Sequence, residues 1–566
     1  MNYSQPVTFS VDENLIGAWE SRLRDAPAIV TRQAELYPAF ADAYAVLKNM
    51  PRGARRTLQR KLARSNDVAL SARARRTLAA SVAGAALLLA LSQNTQAATI
   101  TVNTNIPRIA ADGKCSLVEA IINANNDAAT HPDCTAGSGA DTIVLPAASV
   151  HTVPAIYDNT YGARLPAVRS QITIAGNHSR ITRKKGKSVS RLLTVAASGD
   201  LTLQDVTMTG GVQYFGGAIF NYGNLNVSGS IISANIAFKG GGIANDVNAT
   251  LVISNSSISG NSASRGGAIF NSGKLSIDNS SFLQNKGYNG AGVLNYGSTN
   301  IENSTISGNK AGFRGGGLLI YGGSLAIDNC VISKNTALAG GGIGSFSSLA
   351  ISNSSITDNR SVYDGGGISN QGNLDIHDST VSGNRAGSIG GGIAHFDGPL
   401  NIENSTVSGN RSTGDVGGGI WNQGTATFSN STITGNSAKR GGGVFVNTLL
   451  SLTLKRSLIS GNKASAGAEI FAYANVVADD SNLFGTNGNA GVSGFSPGVS
   501  DIVPSGAITN ILAPLADNGG PTLTHELVAG SPAIDAAPVD ADCPSEDQRG
   551  VARPQGALCD IGAFEK

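Results

Sequence analysis

Between residues 201 and 470 the apolar side chains recur with two periods at once. Within short runs they alternate, as in Leu400-Asn-Ile402 and Thr406-Val-Ser408, which is the two-residue period of a strand that turns one face to a core. Over a longer range a phrase of about 24 to 26 residues returns, close to Leu-x-Ile-(Asp/Glu/Ser)-Asn-Ser-(Ser/Thr)-Ile-Ser-Gly-Asn, followed by a variable link and Gly-Gly-Gly-Ile. It is legible at Leu275–Asn285, Ile301–Asn309, Leu349–Asn359, Leu374–Asn384 and Leu400–Asn410. Runs this short leave no room for a helix of ordinary length, and β-branched Ile, Val and Thr favour strands. Each period is expected to hold three short strands and three bends, too little to bury its own apolar side. Stacked coil on coil, such units pair at roughly 4.8 Å and share one core. The pattern predicts an all-β chain built as a parallel β-solenoid.

Equivalent positions line up as columns. Leu203, Val227, Ile253, Ile277, Ile301, Ile327, Ile351, Ile376, Ile402, Phe428 and Leu454 form an inward aliphatic stack. One asparagine marks each turn: Asn235, Asn261, Asn285, Asn309, Asn335, Asn359, Asn384, Asn410, Asn436 and Asn462. These are expected at a bend, where Asn tolerates left-handed backbone angles and its amide bonds to the amide of the next coil. The Gly-rich segments, such as Gly417–Ile420, are expected at tight corners where side chains would collide. All these residues read as structural. Their phrasing resembles the right-handed parallel β-helices of the pectate-lyase-like superfamily, and is most similar to polymorphic outer-membrane protein repeats. The right-handed sense is an implication of that resemblance, since periodicity does not show it.

Residues 1 to about 76 lack the repeat and read as a helical or disordered leader, with a helix-forming stretch Ala34–Asn49 and a basic run from Arg52 to Arg64. Arg73, Arg75 and Arg76 then precede an apolar run, Leu78–Leu91, and the small-residue segment Thr95-Gln-Ala-Ala98. Positive flank, short apolar run and small-residue end describe a secretory signal, and the run is too short for a comfortable membrane span. Cleavage is expected at Ala97 or Ala98. The leader before the signal is open to three readings: a cytoplasmic extension, a start at Met50, or a small helical domain of its own. The expected divisions are 1–98 for leader and signal, 99–200 for an N-terminal cap and first coils, 201–480 for the repeats, and 481–566 for a C-terminal cap.

Cys115–Asn125 is a helix-like island. Leu117, Ala120, Ile121 and Ala124 share one face, and Ser116 with Glu119 fits a capping box. A solenoid exposes an apolar end that must be covered, and this helix suits the task. The segment resembles the "CSLREA" start of many secreted bacterial β-helix proteins, with Val118 in place of the usual Arg; Asp141–Pro146 resembles the first strand of that family. Near the other end, Leu515–His525, Gly530–Asp535, Asp547–Pro554 and Cys559–Glu565 resemble the "choice-of-anchor Q" family. In that family an anchoring element usually follows. The sequence given ends at Lys566 without a membrane helix, wall-sorting signal or barrel strands, so free secretion gains weight over surface attachment. Arg549, Arg553, Asp547 and Asp560 are expected to form an ion-pair and turn network that closes the last coil.

Composition narrows the function. The 72 glycines and only 14% charged residues suit a solenoid, and a net charge of +2 argues against nucleic acid as a partner. Cys115 and Cys134 bracket the cap helix, Cys543 and Cys559 bracket a loop near the other end, and after export both pairs can be oxidised. Cys330 stands in the column of Ser304, Ser354, Ser379 and Ser405 and is expected to be a free thiol. No Cys-x-x-Cys occurs and the histidines are scattered, so no zinc site is indicated.

Candidate chemistry is diffuse. Asp278, Glu302 and Asp328 share one outward column, continued by Ser352, His377 and Glu403; stacked carboxylates repel unless cations intervene, so Ca²⁺ is conceivable, against a plain solvated face with Lys or Arg nearby. Following the asparagines run Lys286, Lys310, Arg360, Arg385, Arg411 and Lys463, with Arg360, Arg385 and Arg411 in consecutive coils. Such a stripe suits an anionic glycan, lipopolysaccharide or other surface polymer, or else keeps the solenoid soluble. Arg180–Lys187 reads as a solvated loop. The paired-aspartate, Gly-His-Gly and Arg-Ile-Lys signals of polygalacturonases are missing; Asp479-Asp480 stands alone. No catalytic or metal-binding residue is assigned. The sequence points to a secreted or surface-exposed bacterial β-helix, monomeric and non-enzymatic, acting in adhesion, matrix or another extracellular contact. The alternative is a polysaccharide lyase or glycoside hydrolase acting on an acidic glycan.

Overall fold

A computed structural model describes residues 50–51, 54, 56–58, 60–61 and 97–566, apart from 185–188, 448–449 and 479. The stretch Ala34–Asn49 expected to be helix-forming, most of the basic run Arg52 to Arg64, Arg73, Arg75, Arg76, Leu78–Leu91, Thr95, Lys187 and Asp479 lie outside the described residues. The unit that carries the repeats spans Ala97–Lys566. The chain enters its first coil at Ala98, whose N–H donates to Asp141 Oδ1 at 3.0 Å, while Ala97 stands exposed. Among the described residues no helix is long and apolar enough to cross a membrane.

Each coil contributes four short strands rather than three. In one coil these are Ser298–Glu302, Thr305–Ser307, Lys310–Arg314 and Leu318–Ile320. The first two belong to one large 27-stranded sheet, the third to a nine-stranded sheet and the fourth to a thirteen-stranded sheet, all pairing in parallel with the same strand of the next coil. The extra division arises at Asn303, whose backbone is left-handed (φ 50) and breaks the first strand run in two. The aliphatic column is in register from Leu203 to Leu454 and buried throughout. Ile402 lies between Ile376 and Phe428.

The ten asparagines form one hydrogen-bonded column, buried at every step. Asn335 is representative: its Nδ2 donates to Asn359 Oδ1 (3.0 Å) and to the Ile306 carbonyl (2.9 Å), and its Oδ1 accepts from both the N–H and the Nδ2 of Asn309 (2.9 Å each). All four hydrogen-bonding positions of the amide are filled. Left-handed angles, expected at these asparagines, fall instead one residue earlier, at Ala234, Gln284, Lys334, Asp358 or a glycine such as Gly409. The reason is geometric: the chain must turn just before the amide so that the amide itself points inward on both neighbours. Within the repeats the asparagines that do adopt φ > 0 stand just before a second column, as at Asn255, Asn279, Asn303 and Asn404, each followed by serine, and at Asn329, followed by Cys330. The serines that follow make a second ladder, with each N–H donating to the next hydroxyl. Cys330 replaces one hydroxyl there: its thiol accepts from Ser304 N–H at 3.4 Å, and burial pushes it up to about 11. At the glycine corner, Gly417 is left-handed (φ 65), and a Cβ on Gly418 would stand 2.3 Å from the Gly442 carbonyl oxygen.

The helix Leu117–Asn126 covers the first coil. Ser116 Oγ accepts from Glu119 N–H, and the Glu119 carboxylate accepts from Ser116 N–H, which completes the capping box. Leu117, Ala120, Ile121 and Ala124 are fully buried against the solenoid core, and Cys115 is bridged to Cys134. Arg180–Arg183 belong to a strand, not to a loop, because Ile181 pairs with His151 and Met208 in the large sheet.

The solenoid continues past the visible repeat, to Val492–Ser493. The remainder then departs from expectation. Instead of closing the last coil, residues 512–566 fold back along the large sheet, after an antiparallel pair Leu512–Ala516 and Thr524–Leu527. Gln548 donates to Thr380 Oγ1 and accepts from Thr406 Oγ1, Ala563 N–H donates to Thr432 Oγ1, and His525 bonds Ser408. The Arg456 side chain, fully buried, reaches Asp540 of this tail and faces Asp480 at 3.9 Å. Within the tail Arg549 holds Asp547 through two nitrogens (2.9 and 2.7 Å), Arg553 pairs with Glu565 (3.1 Å), Asp560 accepts from the Asp535 and Lys566 N–H groups, and Cys543 is bridged to Cys559. The network expected of these residues exists, and it fastens the tail to the flank.

Two outcomes follow from the amide column. Asn335→Ala strips two donors of Asn309 and the Ile306 carbonyl of buried partners, so it should lower stability by about 3 kcal/mol; Lys310→Ala, exposed in the preceding coil, should stay within about 0.5 kcal/mol, both read from urea midpoints. The column ends on Glu469, whose carboxylate takes the Asn462 N–H and Nδ2 and the Gly461 N–H. Burial nevertheless outweighs these donors and pushes it from 4.5 up to about 8. The folded state then binds the extra proton between those values, so stability should fall as pH rises from about 4.5 to about 8 and level off above. Glu469→Gln should flatten that slope in pH-dependent unfolding; an unchanged slope would place the titration elsewhere.

Candidate functional site

The nine-stranded sheet brings one sequence-predicted stripe into register. Lys286, Lys310, Thr336, Arg360, Arg385 and Arg411 follow one another in successive coils, and bridges extend the line to Ser437 and Lys463. Every charged member is exposed. Among the described residues no ion pair involves Arg360, Arg385 or Arg411, which follow one another at the coil spacing and are exposed to solvent.

Farther along the same strands lies a second basic column, Lys239, Arg265, Asn289 and Arg314. Between the two stand aromatic rings that sequence reasoning missed. Tyr288 and Tyr363 are 55% exposed; Tyr214 stacks on Phe238 at 4.7 Å and Tyr288 on Phe313 at 5.7 Å. Across the glycine corner, Tyr296, Tyr321 and Phe346 stack in three consecutive coils at 5.4 and 5.1 Å. Cations seal the seam: Lys239 Nζ sits 4.9 Å from the Phe270 ring and Arg314 4.8 Å from Phe346. The signal lies three residues after the Gly-Gly-Gly-Ile corner of each coil, but polar residues interrupt it, as at Gln371, and it does not read as a repeat. Cationic groups beside exposed aromatic faces can bind an anionic polymer that also offers apolar ring surface.

The carboxylate column is also in register, Asp278 with Glu302 and Glu302 with Asp328, then Ser352, His377 and Glu403. Its partners are not the Lys and Arg expected. Asp278 accepts from Asn303 (2.8 Å), and Asp328 accepts from Ser352 (2.7 Å) and Asn353 (2.9 Å). Among the described residues no group of three or more His, Cys, Asp or Glu is arranged to hold a metal ion.

Where the tail crosses this column a cleft of about 360 Å³ opens, lined by His377, Asp378, Glu403, Glu546, Asp547 and Arg549 among others. Glu403, expected to be an exposed outward residue, is half-buried here, with His377 Nδ1 at 3.3 Å from its Oε2. That hydrogen bond raises His377 and lowers Glu403, while burial raises Asp378, which accepts from Asn404 at 2.9 Å. Asp547 is taken up by Arg549 and the N–H groups of Arg549, Val551 and Glu565. Arg549 in turn lies 3.5 Å over the Phe564 ring. General acid–base catalysis needs a positioned proton donor beside a group that stabilises developing charge. Here the one arginine is already neutralised.

Residues 268–433 match a family model described as right handed beta helix region, which makes the solenoid a right-handed parallel β-helix. No curated protein matches the chain in sequence. The crystal structure of pectate lyase Pel9A superposes with a TM-score of 0.29 at 14% identity, covering 83% of this chain and 97% of that one, too loosely to bear on chemistry.

His377 should titrate above the ordinary histidine range, and Glu403→Gln should bring it down by removing the bond that raises it. Histidine-selective NMR titration measures both; equal values would show that the pair does not form.

Proposed function

We propose that this chain is a secreted or cell-surface bacterial β-helix protein without catalytic role, which holds an anionic extracellular polymer along the basic and aromatic face of its nine-stranded sheet. The observation that carries this reading is the exposed line of Arg360, Arg385 and Arg411 in consecutive coils. Like charges stacked at roughly 4.8 Å oppose folding, and a polymer with regularly spaced negative groups relieves the repulsion coil by coil. Exposed Tyr288 and Tyr363 add apolar contact for sugar rings. Export is supported by the two disulfides, one at the cap helix and one in the tail. With export comes removal of the signal at Ala97 or Ala98, whose carbonyl and N–H already pair with the first coil.

Binding of polygalacturonate and dextran sulfate should be measurable at low salt, weaken as salt rises, and be absent for neutral dextran. Arg360→Glu with Arg385→Glu and Arg411→Glu should weaken it by roughly tenfold or more. Unchanged affinity in that variant would refute the face. Release of new reducing or unsaturated ends from polygalacturonate would instead establish the enzymatic reading and direct attention to the cleft at His377.

A further inference from the structure

The groove that receives the tail does not end with the tail. One outward column of the large sheet runs in register from Ile231 to Leu458. Over its last part the tail covers it, and Thr380, Thr406 and Leu458 are fully buried. Over its first part the same column is bare. Two aliphatic members stand out in water there, Ile231 at 43% and Val331 at 42% exposure.

The covered part shows what the groove accepts. The tail segment Asp540–Gln548 runs against the direction of coil stacking and meets one bend residue per coil. Asn430 Nδ2 donates to the Asp542 carbonyl (3.1 Å) and Asn404 Nδ2 to the Glu546 carbonyl (3.0 Å), while strand hydroxyls bond Gln548. The groove therefore holds a polypeptide through two main-chain carbonyls as well as through side chains. The uncovered coils repeat this equipment, with Asn353, Asn329, Asn303 and Asn279 at the bends. Both ends of the bare length widen into cavities: the cleft of about 360 Å³ at the tip of the tail, and an open trough of about 430 Å³ from Gly229 to Thr305.

Charge differs between the two parts. The acidic tail residues Asp540 and Asp542 meet Arg456 and Lys455. Beside the bare length stand Asp278, Glu302 and Asp328, none of them in an ion pair among the described residues. Three stacked carboxylates disfavour an anionic or acidic occupant and favour a basic one.

We propose that the bare groove, from the cleft at His377 back to Gly229, docks an extended basic segment of a partner protein along the flank that the chain's own tail occupies farther on. Asparagine amides take its carbonyls, the carboxylates take its Lys or Arg side chains, and Val331 and Ile231 seat two apolar residues. Those anchors are four coils apart, about 19 Å at roughly 4.8 Å per coil, which an extended chain spans in about six residues. This face is distinct from the basic sheet, so the two readings stand or fall separately.

The probe is a fluorescein-labelled decapeptide with two leucines six positions apart and lysines between them, beside its glutamate counterpart, titrated against the full chain by anisotropy. The lysine peptide should bind at low salt and the glutamate peptide should not. Asp328→Lys and, separately, the groove-filling Ser281→Trp should each weaken binding by roughly tenfold while keeping the wild-type unfolding midpoint. Arg385→Glu, on the other face, should leave it unchanged, whatever it does to polyanion binding. No binding of the lysine peptide, equal binding of the glutamate peptide, or full affinity in either groove variant would overturn the proposal.

Discussion

A buried primary amide has two donors and two acceptor sites, and leaving any of them unpaired in a dry core costs more than the bond itself returns. Stacking such amides along one axis satisfies all four only if every coil presents its asparagine at the same height and angle. This is the constraint on which the rest of the solenoid depends. It tolerates variable coil length, since the ladder steps are 24, 25 or 26 residues. Insertions fall where nothing has to meet the ladder, in a turn at Tyr321-Gly-Gly323 and as a bulge within the strand Lys310–Arg314. The glycine corner is the second fixed point, set by backbone passing backbone too closely for a Cβ. Between these two points the aliphatic column has no freedom of register left, because a one-residue slip would turn it out to solvent. The column needs an end as well as a repeat, and Glu469 supplies an acceptor that needs no further coil.

Fixed register turns outward residues into stripes whether or not a stripe is useful. In this chain they are sorted by sign. Cations gather on the nine-stranded sheet and carboxylates on the first strands of the large sheet, so a net charge of +2 conceals two faces of opposite character. Bulk charge is a poor guide for that reason: it is silent about a polymer laid along one side. The polar groove at the bends is a third surface, neutral in itself and given its character by whichever column flanks it.

Short-range pattern was enough to read the inward positions, the cap helix with Ser116 and Glu119, and the place of Cys330 among the serines. Each of those depends on residues within one coil or on the coil directly above. The left-handed turn was assigned to the wrong asparagine because both Asn columns carry the same bend preference, and sequence does not say which one points inward. The back-folded tail was illegible for a different reason. Its contacts join Gln548 to Thr380, 168 residues away, and no period links the two. The aromatic seam escaped because packing across the corner requires a large side chain only in some coils, which destroys the periodicity that made everything else visible.

The tail also explains why one flank can hold a folded segment at all. A parallel sheet face with outward serine and threonine offers hydroxyls that water satisfies equally well, so polar contact alone gives little net gain. What holds the tail is the combination of Leu458 and the apolar residues Ile561 and Phe564 in a shared core, the buried Arg456 facing two aspartates, and Cys543–Cys559, which shortens the loop that must be ordered. Each of these sits at the end of the groove where the tail lies. The bare coils have anchors of the same kinds, aliphatic at Ile231 and Val331 and charged at Asp278, Glu302 and Asp328, but no segment in the described part of this chain with the opposite charge lies against them. A repeat that fixes its inside so tightly leaves the outside free to differ coil by coil, and here that freedom divides one continuous groove into an occupied half and an open one.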